Sequence, residues 1–179
     1  MILSVHQPQY IPWLGYFHKI AHSDIFVMLD DVQYKKREFQ NRNKIRSRDG
    51  AIWLTVPVVT KGRYYQKISE VEIDNTANWG LDHLKTIRLN YSKSEYYKLY
   101  IDFFEKFYTM KWKRLIDVNV KTIEFIMSHL EIKTPVEMSG GLNLSSSSTQ
   151  RIVDICKHYN ADTYLSGSGG KDYLEEDLF

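Results

Sequence analysis

Ile2-Leu3-Ser4-Val5-His6-Gln7-Pro8-Gln9-Tyr10-Ile11-Pro12-Trp13-Leu14-Gly15-Tyr16-Phe17-His18-Lys19-Ile20 decides how this chain folds. Residues 2–6 read as an apolar strand. A helix is expected from Pro12 or Trp13 to Ala21, since proline suits a first helical turn, where its missing N–H is no loss. Residues 24–29 then form a nearly continuous apolar run, the mark of a strand buried on both faces. Strand, loop, helix and strand make one βαβ unit with parallel strands and a right-handed crossover. The loop from Gln7 to Pro12 holds two prolines, two amides and the Tyr10 ring, far more than a tight turn needs. In an open parallel sheet such a loop lies beyond the carboxyl ends of the strands, where ligands bind.

Working outward, residues 52–59 read as a strand ending near Pro57, Lys61-Gly62-Arg63 as a turn, and residues 68–73 as an alternating strand. Helical spacing predicts helices near 79–89, over 94–108 with Ser94 as N-cap, and over 115–130. Residues 135–138 form a short strand, 149–158 a helix, and 163–165 a last strand. The expected fold is α/β: a Rossmann-like, mainly parallel sheet flanked by helices, with an irregular β-hairpin insertion and a helical segment. No linker or repeat divides it, so residues 1–179 are expected to form one domain. Residues 174–179 read as the opening of another helix, an expectation of a C-terminal continuation.

The 179 residues suffice for a real core, and 43% hydrophobic with 26% charged residues is ordinary globular composition. Net charge is +2, too small to point to nucleic acid by itself. Lys35, Lys36, Arg37, Arg42, Lys44, Arg46 and Arg48 concentrate positive charge locally, either as a solvated hairpin rim or as a funnel for an anion. Cys156 stands alone among apolar residues, so an intrachain disulfide and a cysteine zinc site are excluded. No signal peptide or membrane-spanning run is evident, and a cytoplasmic protein is the expectation.

Several clusters could carry chemistry. His6, with Gln7, Gln9, Tyr10 and Trp13, sits at a strand's carboxyl end. Its imidazole either makes one structural hydrogen bond or meets a ligand's phosphate or carboxylate. The helix beginning near Trp13 aims free N–H groups at the same crevice, and Lys19 either reaches back to it or points to solvent. Asp30 and Asp31 lie on opposite faces if the strand continues. If it has ended, either could hold magnesium, a hydroxyl or an amine. Gln33 suits sugar hydroxyls or a carboxylate. Asn41, Arg42 and Asn43 suit a polar ligand or an exposed turn. Thr149 can cap the next helix. Arg151 lies in that helix's first turn, where a cation opposes the dipole unless an anion lies near. Ser166, Gly167, Ser168, Gly169, Gly170 and Lys171 could turn successive N–H groups inward as a phosphate nest. The spacing is not that of a Walker loop.

Four of these stretches together resemble the WbqC-like proteins over essentially the whole chain. They are residues 6–17, Asp30-Asp31-Val32-Gln33-Tyr34, Asn41-Arg42-Asn43, and Leu165-Ser166-Gly167-Ser168-Gly169-Gly170-Lys171-Asp172-Tyr173-Leu174. The resemblance implies association with bacterial surface-polysaccharide loci, notably lipopolysaccharide O-antigen, and a part in making or decorating an unusual sugar. The opening of the chain through Gln33-Tyr34 is also similar to that of pantothenate synthetase and other HIGH-type nucleotidyltransferases. Ser147-Ser148-Thr149-Gln150-Arg151 is similar to a helix start that some of them set near phosphates. There the glutamine after the second strand holds substrate, and Gln33 matches it. Residues 9–15 stand where the HxGH core would be.

These readings predict an enzyme that binds an anionic nucleotide or sugar nucleotide and transfers or ligates a group onto a small molecule such as an amino sugar. His6 and Lys19 are its catalytic candidates. ATP or another nucleotide, with or without magnesium, fits the cofactor role, and no residues are assigned to a metal. The alternative is a non-catalytic binding or assembly protein for a polysaccharide pathway. Nucleic acid is not an expected partner.

Overall fold

The computed structural model describes residues 1–172 and 174–179, with the side chain of Lys171 outside that description. The fold is α/β. Four parallel strands, β1 (Ile2–His6), β2 (Ile25–Met28), β5 (Val136–Met138) and β6 (Thr163–Tyr164), lie in the order β5-β2-β1-β6. The helix α1 (Leu14–Ala21) joins β1 to β2, whose register sets Leu3 against Ile25 and His6 against Met28. The chain thus builds outward from β1 through β2 to β5. It then returns to lay β6 on the other side of β1. That reversal places a topological switch between β1 and β6, with its crevice at the carboxyl ends.

Period-two alternation sorts the sheet's side chains. Leu3, Val5, Ile25 and Val27 pack on Ile152, Ile155 and Cys156 of α5 (Ser148–His158). On the other face Phe26 and Met28 meet Tyr16, Phe17 and Ile20 of α1, with Ile123 and Met127 of α4 (Leu115–His129). β2 is buried along its whole length, as its apolar run requires.

Between β2 and β5 the chain builds a second core. The antiparallel hairpin of β3 (Arg42–Ser47) and β4 (Gly50–Thr55) packs with α2 (Trp79–Tyr91), α3 (Tyr97–Thr109) and the start of α4 around Leu54, Val56, Trp79, Phe107 and Leu115. Arg42 and Asn43, expected to hold a polar ligand or form an exposed turn, therefore open a strand, with Asn41 just before it. The expected strand at 68–73 is instead a 3-10 helix, Ile68–Glu70. Ile68 and Val71, three apart, are both fully buried, the repeat of a 3-10 turn. Ile73 and Glu72 contribute isolated bridges alone. Ser94 does not cap α3. Its hydroxyl donates to the Tyr91 carbonyl at 2.7 Å, closing the end of α2, and Tyr96 takes the N-cap position. Pro12 precedes the N-cap of α1, which is Trp13.

Candidate functional site

Beyond the carboxyl ends of β1 and β2 lies a cleft of ≈ 680 Å³. Its walls are His6 and Gln7 after β1, Asp31, Gln33 and Lys35 after β2, and Ser146 to Ser148 with Arg151 at the start of α5. Of the expected site residues, His6, Gln7, Gln33 and Arg151 line this cleft, whereas Lys19, Asp30 and residues 166–170 do not.

His6 closes β1, and its register carries the ring to the α1 face, edge-on to Tyr16 with ring centroids 4.9 Å apart. Its Nδ1 lies 3.0 Å from the Gln7 carbonyl. A carbonyl only accepts, so Nδ1 carries the proton and Nε2 is an acceptor. Burial, reinforced by the Lys19 charge and opposed by the Gln7 hydrogen bond, lowers the pKa of His6 to about 4. At neutral pH His6 is therefore an uncharged base rather than a cation.

Lys19, on the inner face of α1, is 8% exposed. Its Nζ donates to the Val5 carbonyl at 2.9 Å. Leu3 accepts from the Leu165 amide on the β6 side. Continuing that register would set the Val5 carbonyl against Gly167, but β6 has ended. Lys19 takes the vacant acceptor, and its Nζ lies 4.0 Å from where a Gly167 Cβ would stand. Among the described residues Lys19 makes no ion pair. Burial lowers its pKa to about 8. A cation is thus built into the switch-point crevice, beneath the glycine-rich loop.

Arg151 answers the puzzle of a cation in a first helical turn. It is buried, ion-paired through Nη2 to Asp31, and donates through Nη1 to the carbonyls of Leu144 at 3.1 Å and Ser146 at 3.0 Å. It ties the serine loop to the end of β2. Because β2 ends at Met28, Asp30 and Asp31 no longer alternate, and both carboxylates reach the Ser139 hydroxyl, which donates to Asp31 and lies 3.3 Å from Asp30. Asp30 also accepts from the Gly140 amide at 2.8 Å, while Asp31 lines the cleft. Among the described residues no group of three or more His, Cys, Asp or Glu side chains gathers as a metal site.

Helix α5 begins one residue earlier than expected, so Ser147 rather than Thr149 stands at the N-cap, with no side-chain capping bond and no acidic residue in the first turn. The Thr149 hydroxyl is buried and accepts from the Glu175 amide at 3.2 Å. The uncapped N-terminus therefore opens on the cleft through Ser147 and Ser148. The loop Ser166 to Gly170 folds into a tight turn, with the Gly170 amide donating to Gly167 at 2.9 Å. Gly170 sits so close to Ser166 that a Cβ there would fall 1.8 Å from its hydroxyl. The side chain of Lys171 lies outside the described residues.

Other candidates support the site from outside. Tyr10 is fully buried in the second core, its hydroxyl 2.5 Å from that of Tyr108 and 2.9 Å from Nδ1 of His83. Trp13 is 63% exposed and lies across Gly15, where a Cβ would fall 2.1 Å from the ring. Neither Gln9 nor Trp13 lines the cleft. Asn41 donates to the Val56 carbonyl at 2.9 Å, and Asn43 to that of Ile11 at 2.6 Å. Arg42 donates to the Arg37 carbonyl and covers the Trp53 ring at 4.2 Å. Two residues not anticipated are Ser139 and Gln40. Gln40 donates to Gln7 Oε1 at 2.7 Å and accepts from the Lys35 amide at 3.0 Å, fixing one wall of the cleft. Ser139 meets Asp30 and Asp31 across 109 and 108 residues, and Gln40 meets Gln7 across 33, so no local pattern announces these contacts.

The chain matches the model of the WbqC-like protein family over residues 7–179. It is 35% identical over 178 residues to the uncharacterized protein Rv1507c of Mycobacterium tuberculosis, spanning 99% of this chain and 77% of that protein. No solved structure matches it. Gln7, Asp31, Gln33 and Arg151 of the strand-end cleft all fall inside the family match, and the chain belongs to the WbqC-like protein family.

Proposed function

We propose that this WbqC-like protein is an enzyme that binds an anionic nucleotide or sugar nucleotide across the strand ends. It transfers or ligates a group onto an amino sugar or related small molecule in surface-polysaccharide synthesis, such as that of O-antigen. One observation carries the reading. A neutral base, His6, and the uncapped N-terminus of α5 line one cleft at the carboxyl end of a sheet with a switch point, and the buried cation Lys19 lies beside that strand end on the Val5 carbonyl. In this reading the N–H groups of α5 and of the Ser166–Gly170 turn hold phosphate. Gln7 and Gln33 orient the acceptor. His6 Nε2 takes a proton from its amine or hydroxyl, and Lys19 offsets negative charge as it develops.

Calorimetry with ATP, CTP and sugar nucleotides tests the binding step; no heat and no thermal stabilisation with any of them would end the nucleotide reading. For chemistry, the native glycan of a strain carrying His6→Ala is compared with wild type, and an unchanged glycan would count against catalysis. A second reading, a non-catalytic binding or assembly protein, draws support from Asp31 and Arg151 satisfying each other within the cleft. It expects ligand binding with no turnover that depends on His6 or Lys19.

A further inference from the structure

Charge in this chain is segregated. Residues 35–49 hold seven Lys and Arg against two acids, a net +5, whereas the whole chain is +2, which leaves −3 on the remainder. The hairpin converts this run into a surface. Strand alternation sends Asn43, Ile45 and Leu54 toward the second core. It sends Lys44 and Arg46, with Ala51, Trp53 and Thr55 paired opposite, to solvent. Arg42 leads the same row, and Arg48 stands at the hairpin's turn. Two aromatic rings stand in this field of charge. Trp53 is 41% exposed and Phe39 44%, with their centroids 5.9 Å apart. None of these residues except the neighbouring Lys35 lines the strand-end cleft.

We infer that the outer face of the β3–β4 hairpin docks the protein on an anionic phospholipid surface. Lys and Arg near such a surface are attracted to its acidic headgroups, and tryptophan is favoured at the headgroup level, where one edge is apolar and the other wet. The alternative polyanion, a nucleic acid, fits less well. Single strands bind by stacking bases on open aromatic faces. Here the Trp53 ring is already engaged by Arg42 at 4.2 Å and Lys44 at 4.9 Å. Base-edge readout needs free amides, and Asn41 and Asn43 are turned inward onto the carbonyls of Val56 and Ile11. What remains outward is charge and ring edge. This docking is independent of what the cleft binds.

Co-flotation of the full chain tests it, with vesicles of phosphatidylcholine alone or containing a quarter phosphatidylglycerol. Binding is expected to the anionic vesicles only and to fall with added salt. Lys44→Glu with Arg46→Glu changes two solvent-facing side chains and is expected to weaken it by about 30-fold or more. The same charge change at Lys85→Glu with Lys98→Glu, on α2 and α3, is expected to leave most of it. Circular dichroism shows whether each variant is folded. Equal binding by both double variants would overturn the assignment to the hairpin. Absence of binding to anionic vesicles, or tighter binding to single- or double-stranded oligonucleotides that Lys44→Glu/Arg46→Glu abolishes, would overturn the lipid partner.

Discussion

Lys19 substitutes for a strand: its ammonium occupies the Val5 carbonyl, which β6, had it run on, would have bonded through Gly167. The sheet thus keeps a buried cation beside the β1–β6 seam, where its connections reverse. A helix side chain has replaced a backbone donor, and the crevice that results is charged rather than closed.

That burial has a measurable consequence. The Lys19 pKa is lowered from 10.5 to about 8, so between these values the unfolded chain binds a proton that the folded chain does not. Stability from this group is therefore full above pH 10.5 and is lost as pH falls through 8, with a slope of up to about 1.4 kcal/mol per pH unit. Buried tyrosines, Tyr10 and Tyr16 among them, are raised by burial and act in the opposite sense at high pH. Urea unfolding of wild type and Lys19→Met across this window isolates the lysine. The difference between the two curves is expected to grow in favour of wild type as pH rises, and parallel curves would disprove it.

At the acid end two histidines act together. Burial lowers both His6 and His83 from 6.5 to about 4. Each is neutral when folded and charged when unfolded between those values. Their stabilisation is present above pH 6.5 and is lost as pH falls toward 4. Each adds up to about 1.4 kcal/mol per pH unit to the slope. His83→Asn takes a partner from the Tyr10 hydroxyl and lowers stability at every pH, but it also flattens the acid slope, and that slope is the quantity to measure.

Asp31 and Arg151 are both nearly buried, 11% and 9% exposed at their side chains. Arg151→Met leaves a buried carboxylate without its cation and is expected to destabilise by about 3 kcal/mol. Adding Asp31→Asn removes that charge and should restore part of the loss. A thermodynamic cycle of the two single variants and the double checks this. Additive effects would mean that the pair is not coupled.

Ile11 adopts φ +43, a left-handed conformation foreign to a β-branched residue, and Asn43 holds its carbonyl at 2.6 Å. Asn43→Ala removes the clamp and is expected to lower stability by about 1–2 kcal/mol. Faster amide exchange is expected from Gln9 to Trp13, with α2 and α3 unchanged.

The first βαβ unit was legible because its signals are local: alternation or full burial in the strands, and a helix between. The hairpin strand β3 was hidden because Arg42-Asn43-Lys44-Ile45-Arg46-Ser47 turns only Asn43, Ile45 and Ser47 inward, which reads as a polar stretch. Residues 68–73 misled in the opposite direction, since Ile68, Val71 and Ile73 are apolar yet buried by a 3-10 turn and single bridges. Within the site, the oddity of Arg151 was visible in the sequence, but its answer, Asp31, lies 120 residues away. Asn41 and Asn43 offered the chemistry of ligand-binding amides, and the fold uses it on its own backbone.

Chemical-shift mapping of the amide groups, with ATP, CTP and a sugar nucleotide titrated in turn, locates any binding directly. Saturable shifts are expected at His6, Gln7, Asp31, Gln33 and from Ser146 to Arg151, weakened in Lys19→Met. A separate groove of ≈ 530 Å³, lined by residues 75–81 and 108–111, supplies the internal control. Shifts centred there, or none with any of the three ligands, would contradict a strand-end anion site.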